Sequence, residues 1–190
     1  MSALDFPDDP LWDWSVAAYG RPGVAGACIE LQERRSIDVN LLLFCCWAAR
    51  RGEPFKLAEL RRIVVEVDIW HREAVRPLRA VRRTLKQLAV SAPAELVDAV
   101  RQRVASIELD AEHVEQLMLS RHVGEVRATD AEVAARAAVE NLRAYAAASG
   151  FEWATEDAEP LGIVLAAAFP KLSSQQLGDL IAPILAEPGA

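Results

Sequence analysis

Two pairs of residues, Asp68 with His71 and Asp110 with His113, set a carboxylate three positions ahead of an imidazole. On a helix such positions face the same way, so each pair could share a metal ion. Di-iron bundles, however, repeat Glu-x-x-His on two helices and add a glutamate from each of two others; Glu66, Glu112 and Glu115 do not complete that pattern. The sequence therefore predicts no metal site and no cofactor, and both histidines read as ordinary groups on charged helices. His71, beside Trp70, is the nearest candidate for a general acid or base.

A second constellation is cationic. Arg72, Arg76, Arg79, Arg83 and Lys86 follow steps of four, three, four and three, forming one helical stripe opposite Val75, Leu78, Leu85 and Leu88. Arginine forks at that spacing suit an anion or an acidic partner, while a solvated or internally paired face needs no ligand. Trp12, Val16 and Tyr19 share a helix face and Trp14 points elsewhere, which makes Trp12, Trp14 and Tyr19 candidates for a groove or subunit contact as well as for packing between neighbouring helices. Cys45 and Cys46 project about 100° apart on a helix and cannot jointly hold one ion, so they read as core. There is no Gly-rich phosphate loop, Gly-x-Ser-x-Gly elbow or His-Glu-x-x-His sequence, and no catalytic residue is assigned.

The elements that would carry these groups are helices. Asp8 or Asp9 caps a first helix at Pro10 that Gly20 stops, and a second runs from Pro22 or Gly23 to about Arg35. Asp38 caps a third, Val39 to Ala49, which is apolar on nearly every side and must be surrounded. A long helix from Lys56 toward Ala89 should kink at Pro77, because proline removes an amide donor and crowds the preceding turn. Another, Ala94 to Ser120, carries Leu96, Val100, Val104, Ile107, Val114 and Leu117 as its apolar face. Thr129 with Glu132 reads as a capping box opening an alanine-rich helix to Gly150. Shorter helices follow over Leu161 to Phe169 and from Ser173 or Ser174, the last one bent by Pro183. The expected fold is all-α: an irregular or orthogonal bundle of six to eight helices around a buried central helix, with a helical core domain over 1–120 and a helical extension over 121–190 packed on it.

The 190 residues are 52% apolar, enough to bury a core without disulfides, and three cysteines fit a reducing cytoplasm. Met1 to Pro10 lacks the basic and apolar regions of a secretory signal, and no apolar run approaches the ~20 residues that cross a bilayer. A net charge of −7 argues against general nucleic-acid binding. That charge is uneven: residues 56–90 hold nine cations and four anions, residues 108–190 five and fourteen, so the two halves attract.

Several stretches in order, Leu11-Trp12-Asp13-Trp14, Tyr19-Gly20-Arg21-Pro22-Gly23-Val24, Ala27-Cys28-Ile29-Glu30-Leu31-Gln32 and Asp38-Val39-Asn40-Leu41-Leu42-Leu43-Phe44, followed by Trp70, Arg72-Glu73-Ala74-Val75 and Pro77-Leu78-Arg79, resemble a bacterial family catalogued as a domain of unknown function, number 2390. The resemblance covers about residues 8 to 120 and implies a small, cytoplasmic, helical protein, with the segment from Thr129 an addition. It brings no activity, cofactor or catalytic residue. The expected role is a non-enzymatic protein-interaction or regulatory module, with a second copy or another protein as partner and neither nucleic acid nor membrane. The alternatives are a binder of anions or phosphorylated metabolites, or an enzyme, built on Arg72, Arg76 and Arg79 with Trp70 or His71 near one pocket, and an RNA- or ribosome-associated factor using the same stripe.

Overall fold

A computed structural model describes residues 4–88, 93–124 and 129–186. Its α-helices are α1 (Pro10–Tyr19), α2 (Val24–Arg35), α3 (Val39–Ala48), α4 (Leu57–Trp70), α5 (Arg76–Leu88), α6 (Ala94–Ser120), α7 (Ala131–Ser149), α8 (Ala158–Ala168) and α9 (Ser174–Ile181). A π-turn over His71–Val75 joins α4 and α5 into one rod, giving eight helical rods among the described residues. The fold is an all-α bundle, and its sole extended pairing among the described residues is a two-residue parallel bridge of Trp153–Ala154 with Leu185–Ala186.

Side-chain caps set four of the helix starts. Asp9 Oδ1 accepts from the Leu11 amide at 3.1 Å and Asp38 Oδ1 from the Asn40 amide at 2.8 Å, each satisfying a donor that the first helical turn leaves free. After α3 a short 3₁₀ turn ends at Gly52 in a left-handed conformation, with φ of 87° and the Thr129 side chain close behind it. The start of α7 differs from expectation: Asp130, not Thr129, is the cap, accepting from the Glu132 and Val133 amides at 2.9 and 3.2 Å. The disturbance expected at Pro77 sits one turn earlier, as the π-turn, in which the Arg76 amide bonds to the His71 carbonyl. A proline amide cannot close the next α-helical bond, and widening the turn ahead of the ring relieves the crowding.

Helix α3 is the hub, touching α1, α2, α6, α7 and α8. Leu41 through Ala48 are all buried, so this apolar segment is covered along most of its length. Ala134, Ala135, Ala137 and Ala138 give α7 a face of small side chains where it meets α3 and α4, and residues from Leu11 to Ile181 contribute to one hydrophobic core. Enclosure of α3 fails only at its first turn, where Val39, Asn40 and Leu43 border a cavity. The apolar face read on α6 also needs correction. Leu96, Val100 and Ile107 are exposed, whereas Glu108, Ala111, His113, Glu115, Gln116 and Leu119 are buried. The first half of α6 lies mainly against α5, and its second half turns a polar face toward α3.

Two polar bolts tie the C-terminal helices to the rest. Arg34 and Arg35 of α2 grip the fully buried Asp157 at 3.0 and 2.6 Å. Asn141 of α7, also fully buried, accepts from the Phe55 amide at 2.8 Å and donates to the Cys45 carbonyl at 3.0 Å. Replacing it strands a buried amide and a buried carbonyl. Asn141→Ala should lower the unfolding free energy by about 2 kcal/mol, read as a shift of the urea midpoint at unchanged slope.

Candidate functional site

The cavity beside the first turn of α3 has a volume of about 550 Å³. Trp12, Val16 and Tyr19 of α1, Ile29 of α2, Val39 and Leu43 of α3 and Leu109 of α6 supply apolar walls. The polar groups are few and convergent: Ser15, Gln32, Asn40 and Gln116, with Arg79, Arg82, Arg83, Glu108 and Glu112 along the α5 and α6 side. Apolar walls with a small number of fixed hydrogen-bonding groups are the usual construction of a small-molecule site.

The α5 and α6 side is an ion-pair lattice. Arg79 donates to Glu108 at 3.1 Å, to Glu112 at 2.6 Å and to Gln32, while Arg82 holds Glu108 from the other side, one of its bonds being 3.0 Å long. Burial pushes the Glu108 carboxyl up, but Arg82 and Arg79 outweigh it and hold it below the usual carboxylate range. Glu112 goes the other way, raised by burial despite Arg79. Here the basic and acidic segments meet.

Behind the cavity lies a buried polar cluster. Asn40 is its pivot: the side-chain amide donates to Glu115 Oε2 at 2.7 Å, its carbonyl oxygen accepts from Gln116 at 2.9 Å, and its backbone amide holds Asp38 Oδ1. His71 Nδ1, at the head of the π-turn, approaches Asp38 Oδ2 at 3.3 Å and Glu115 Oε1 at 3.2 Å. Trp70 Nε1 donates to the Ala111 carbonyl at 2.9 Å and pins that turn against α6. Burial and the neighbouring Glu115 raise the Asp38 carboxyl well above its ordinary range. Burial opposes charging of His71, yet the Glu115 and Asp38 carboxylates raise it overall. Tyr145 closes the far side, its hydroxyl accepting from the Asp38 amide at 2.9 Å, and burial lifts that phenol well above its usual value.

The residues singled out in the sequence are scattered by this geometry. Of the cation stripe only Arg79 and Arg83 reach the cavity. Arg72 is exposed and bound to Asp68 and Glu73, Arg76 and Lys86 are exposed, and Arg83 pairs with Glu33 at 3.3 Å. Arg82, off the stripe, does more at the cavity than either end of it. Trp12 and Tyr19 line the cavity and Trp14 packs on the core. Neither Asp-x-x-His pair meets as a pair: Asp68 turns to Arg72, and His113 is stacked between Phe6 and Trp12, with ring centroids 4.1 Å away on both sides. Burial lowers the pKa of His113 even with Asp9 nearby. The free cysteines are buried, and burial raises Cys28 and Cys46 to about 12.

Helical spacing does not point to Asp38, Asn40 or Gln116 as site residues, and it brings in Glu115 only through the di-iron comparison. Their signal was present in part: Asn40 is the one polar residue inside α3, and Glu115-Gln116 follow His113 in α6 where an apolar pattern was drawn through other positions.

The profile of a family described as Protein of unknown function (DUF2390) matches residues 10–119, more than half of the chain. That span includes every residue of the buried cluster except Tyr145, and the whole cavity lining. No curated protein and no solved structure matches the chain.

The lattice carries its own test. Glu108→Gln should cost about 2 kcal/mol near neutral pH, because two arginine forks lose a charged acceptor. A carboxyl whose pKa is lowered by folding contributes stability above its unfolded value and loses it as pH falls through the folded one. The gap between wild type and variant in urea midpoint should therefore hold at neutral pH, begin to shrink as pH falls through the ordinary carboxylate range, and close only below it, once the folded carboxyl is itself protonated.

Proposed function

The chain belongs to the family of proteins of unknown function DUF2390, and we propose that it binds a small amphipathic organic molecule in the cavity between α1, α3, α5 and α6. The observation carrying this reading is the union of apolar walls with a polar back formed by Asn40 and Gln116. An aromatic or branched body suits Trp12, Val16, Tyr19, Ile29 and Leu43, an amide or hydroxyl group suits Asn40 and Gln116, and a single carboxyl suits Arg83, whose own pairing with Glu33 at 3.3 Å is the loosest on the rim. A phosphate cradle is less well supported, because Arg79 is already engaged by Glu108, Glu112 and Gln32. Arg72 and Arg76, the other cations expected at such a site, do not line the cavity. No helix among the described residues is long and apolar enough to cross a membrane.

A protein-interaction role is favoured by a different feature. The first half of α6 and the antiparallel α5 expose Val81, Leu96 and Val100, with Leu96 66% accessible, and no residue of α5 is buried. That rod pair suits a second copy or another helical protein. RNA or ribosome association has less behind it, since most cations of the stripe are paired with the chain's own carboxylates.

A thermal-shift screen separates these readings. Aromatic carboxylates and amides should raise Tm, a hundredfold excess over Kd corresponding to about 2.7 kcal/mol, whereas phosphorylated sugars should not. Val16→Trp, which fills the cavity mouth, should abolish the shift and leave the unliganded Tm within a few degrees. Retention of every hit by that variant would remove the cavity as the site. A self-association that Leu96→Glu with Val100→Glu dissolves, in the absence of any small-molecule hit, would favour the interaction reading.

A further inference from the structure

We propose that Asp38, His71 and Glu115 form a binding site for one divalent first-row transition ion, with Asp38 Oδ2, Glu115 Oε1 and His71 Nδ1 as its protein ligands. The three residues come from the cap of α3, the π-turn and α6, and their ligand atoms all lie within 4.8 Å of one another. His71 Nδ1 is 3.2 Å from Glu115 Oε1 and 3.3 Å from Asp38 Oδ2. Donors held ~2.0–2.2 Å from an ion at tetrahedral or octahedral angles sit roughly 2.8–3.6 Å apart, the range in which both imidazole-to-carboxylate distances fall.

The second observation is what each carboxylate does with its two oxygens. One oxygen is fixed by Asn40: Oδ1 of Asp38 by the backbone amide and Oε2 of Glu115 by the side-chain amide. The other oxygen, Oδ2 of Asp38 and Oε1 of Glu115, is buried without a hydrogen-bond partner and lies 3.3 and 3.2 Å from His71 Nδ1, which also sits 3.4 Å from Glu115 Oε2. Both side chains are more than nine-tenths buried, Glu115 completely. A single imidazole N–H can be given to one of these oxygens, not to both, whereas a cation between them satisfies both at once. Two carboxylates and a neutral imidazole also neutralise a divalent charge, and this mixed oxygen and nitrogen set suits manganese, iron, cobalt or zinc better than magnesium or calcium.

Asn40 is a positioning residue here, orienting both carboxylates, and Gln116 orients Asn40. Loss of such an outer contact typically weakens metal binding by about 10- to 100-fold. A π-turn at the histidine has the same logic, since these one-residue insertions concentrate where a helix must re-aim a functional side chain. The site differs from the expectation of no metal, which rested on the Asp68–His71 and Asp110–His113 spacings; its ligands are brought together by tertiary contact. It is independent of the organic ligand, because an ion can bind whether or not the cavity is filled.

Chelator-treated full-length protein titrated separately with Mn²⁺, Co²⁺ and Zn²⁺ provides the test. The expected result is one ion per chain by calorimetry, a rise in Tm, and visible Co²⁺ absorption characteristic of imidazole and carboxylate ligands. Asp38→Asn and Glu115→Gln should each abolish binding, and Asn40→Ala should weaken it by about 10- to 100-fold. Without metal, both carboxylate variants should keep the wild-type far-ultraviolet circular dichroism, so that lost binding is distinguished from lost fold. Stoichiometric binding by none of the three ions to the unmutated protein overturns the site and leaves a pair of carboxylates sharing a proton beside an imidazolium. Ion binding undiminished in Glu115→Gln overturns it equally.

Discussion

Asn40 joins two demands that would otherwise conflict. Helix α3 has to be surrounded by apolar neighbours, because nothing on its surface past the first turn tolerates water. The same helix begins at a buried carboxylate and faces a second one from α6. Two buried carboxylates within reach of each other carry a large desolvation and repulsion penalty unless their oxygens are hydrogen-bonded or neutralised. One asparagine, donating from its backbone to Asp38 and from its side chain to Glu115, fixes the relative position of α3 and α6 and with it the back of the cavity.

The surrounding packing can be understood as support for that junction. Tyr145 of α7 holds the Asp38 backbone, Trp70 pins the π-turn to α6, and the Arg79, Arg82 and Glu108 lattice locks α5 along α6. Each contact crosses between different elements, and the Tyr145 contact spans more than a hundred residues, so the buried cluster is held from several directions. Buried titratable groups held this way concentrate at functional sites, where unfavourable local electrostatics are retained because chemistry or binding requires them. The segment following the family-matched region takes part as well, through Tyr145 and through Asn141, which secures the far end of α3.

The charge asymmetry along the chain has a local outcome. The cations of α5 and the carboxylates of α6 meet across an antiparallel contact at Arg79, Arg82, Glu108 and Glu112, which is partly shielded from solvent and therefore less screened than surface pairs. Arginine's planar fork lets one side chain serve three acceptors, as Arg79 does. Those engagements leave the rim of the cavity ordered and close to charge balance, in contrast to the open anion site that the stripe alone would suggest.

Local chemistry decided the elements. Asp8 or Asp9 and Asp38 as caps, Gly20 and Gly150 as stops, and the all-round apolar character of Val39 to Ala49 were legible because each depends on contacts within a few residues or on a periodicity that burial must respect. The all-α class and the buried central helix followed from them. What could not be read was the partner of each polar group. Asp68 and His71 sit on neighbouring positions yet turn to Arg72 and to Glu115, and the buried face of lower α6 is polar because what faces it is Asn40 and His71, not a hydrocarbon surface. Helical spacing determines which residues share a face; only the packing of α3, the π-turn and α6 determines what that face meets, and the candidate chemistry of this protein lies in that meeting.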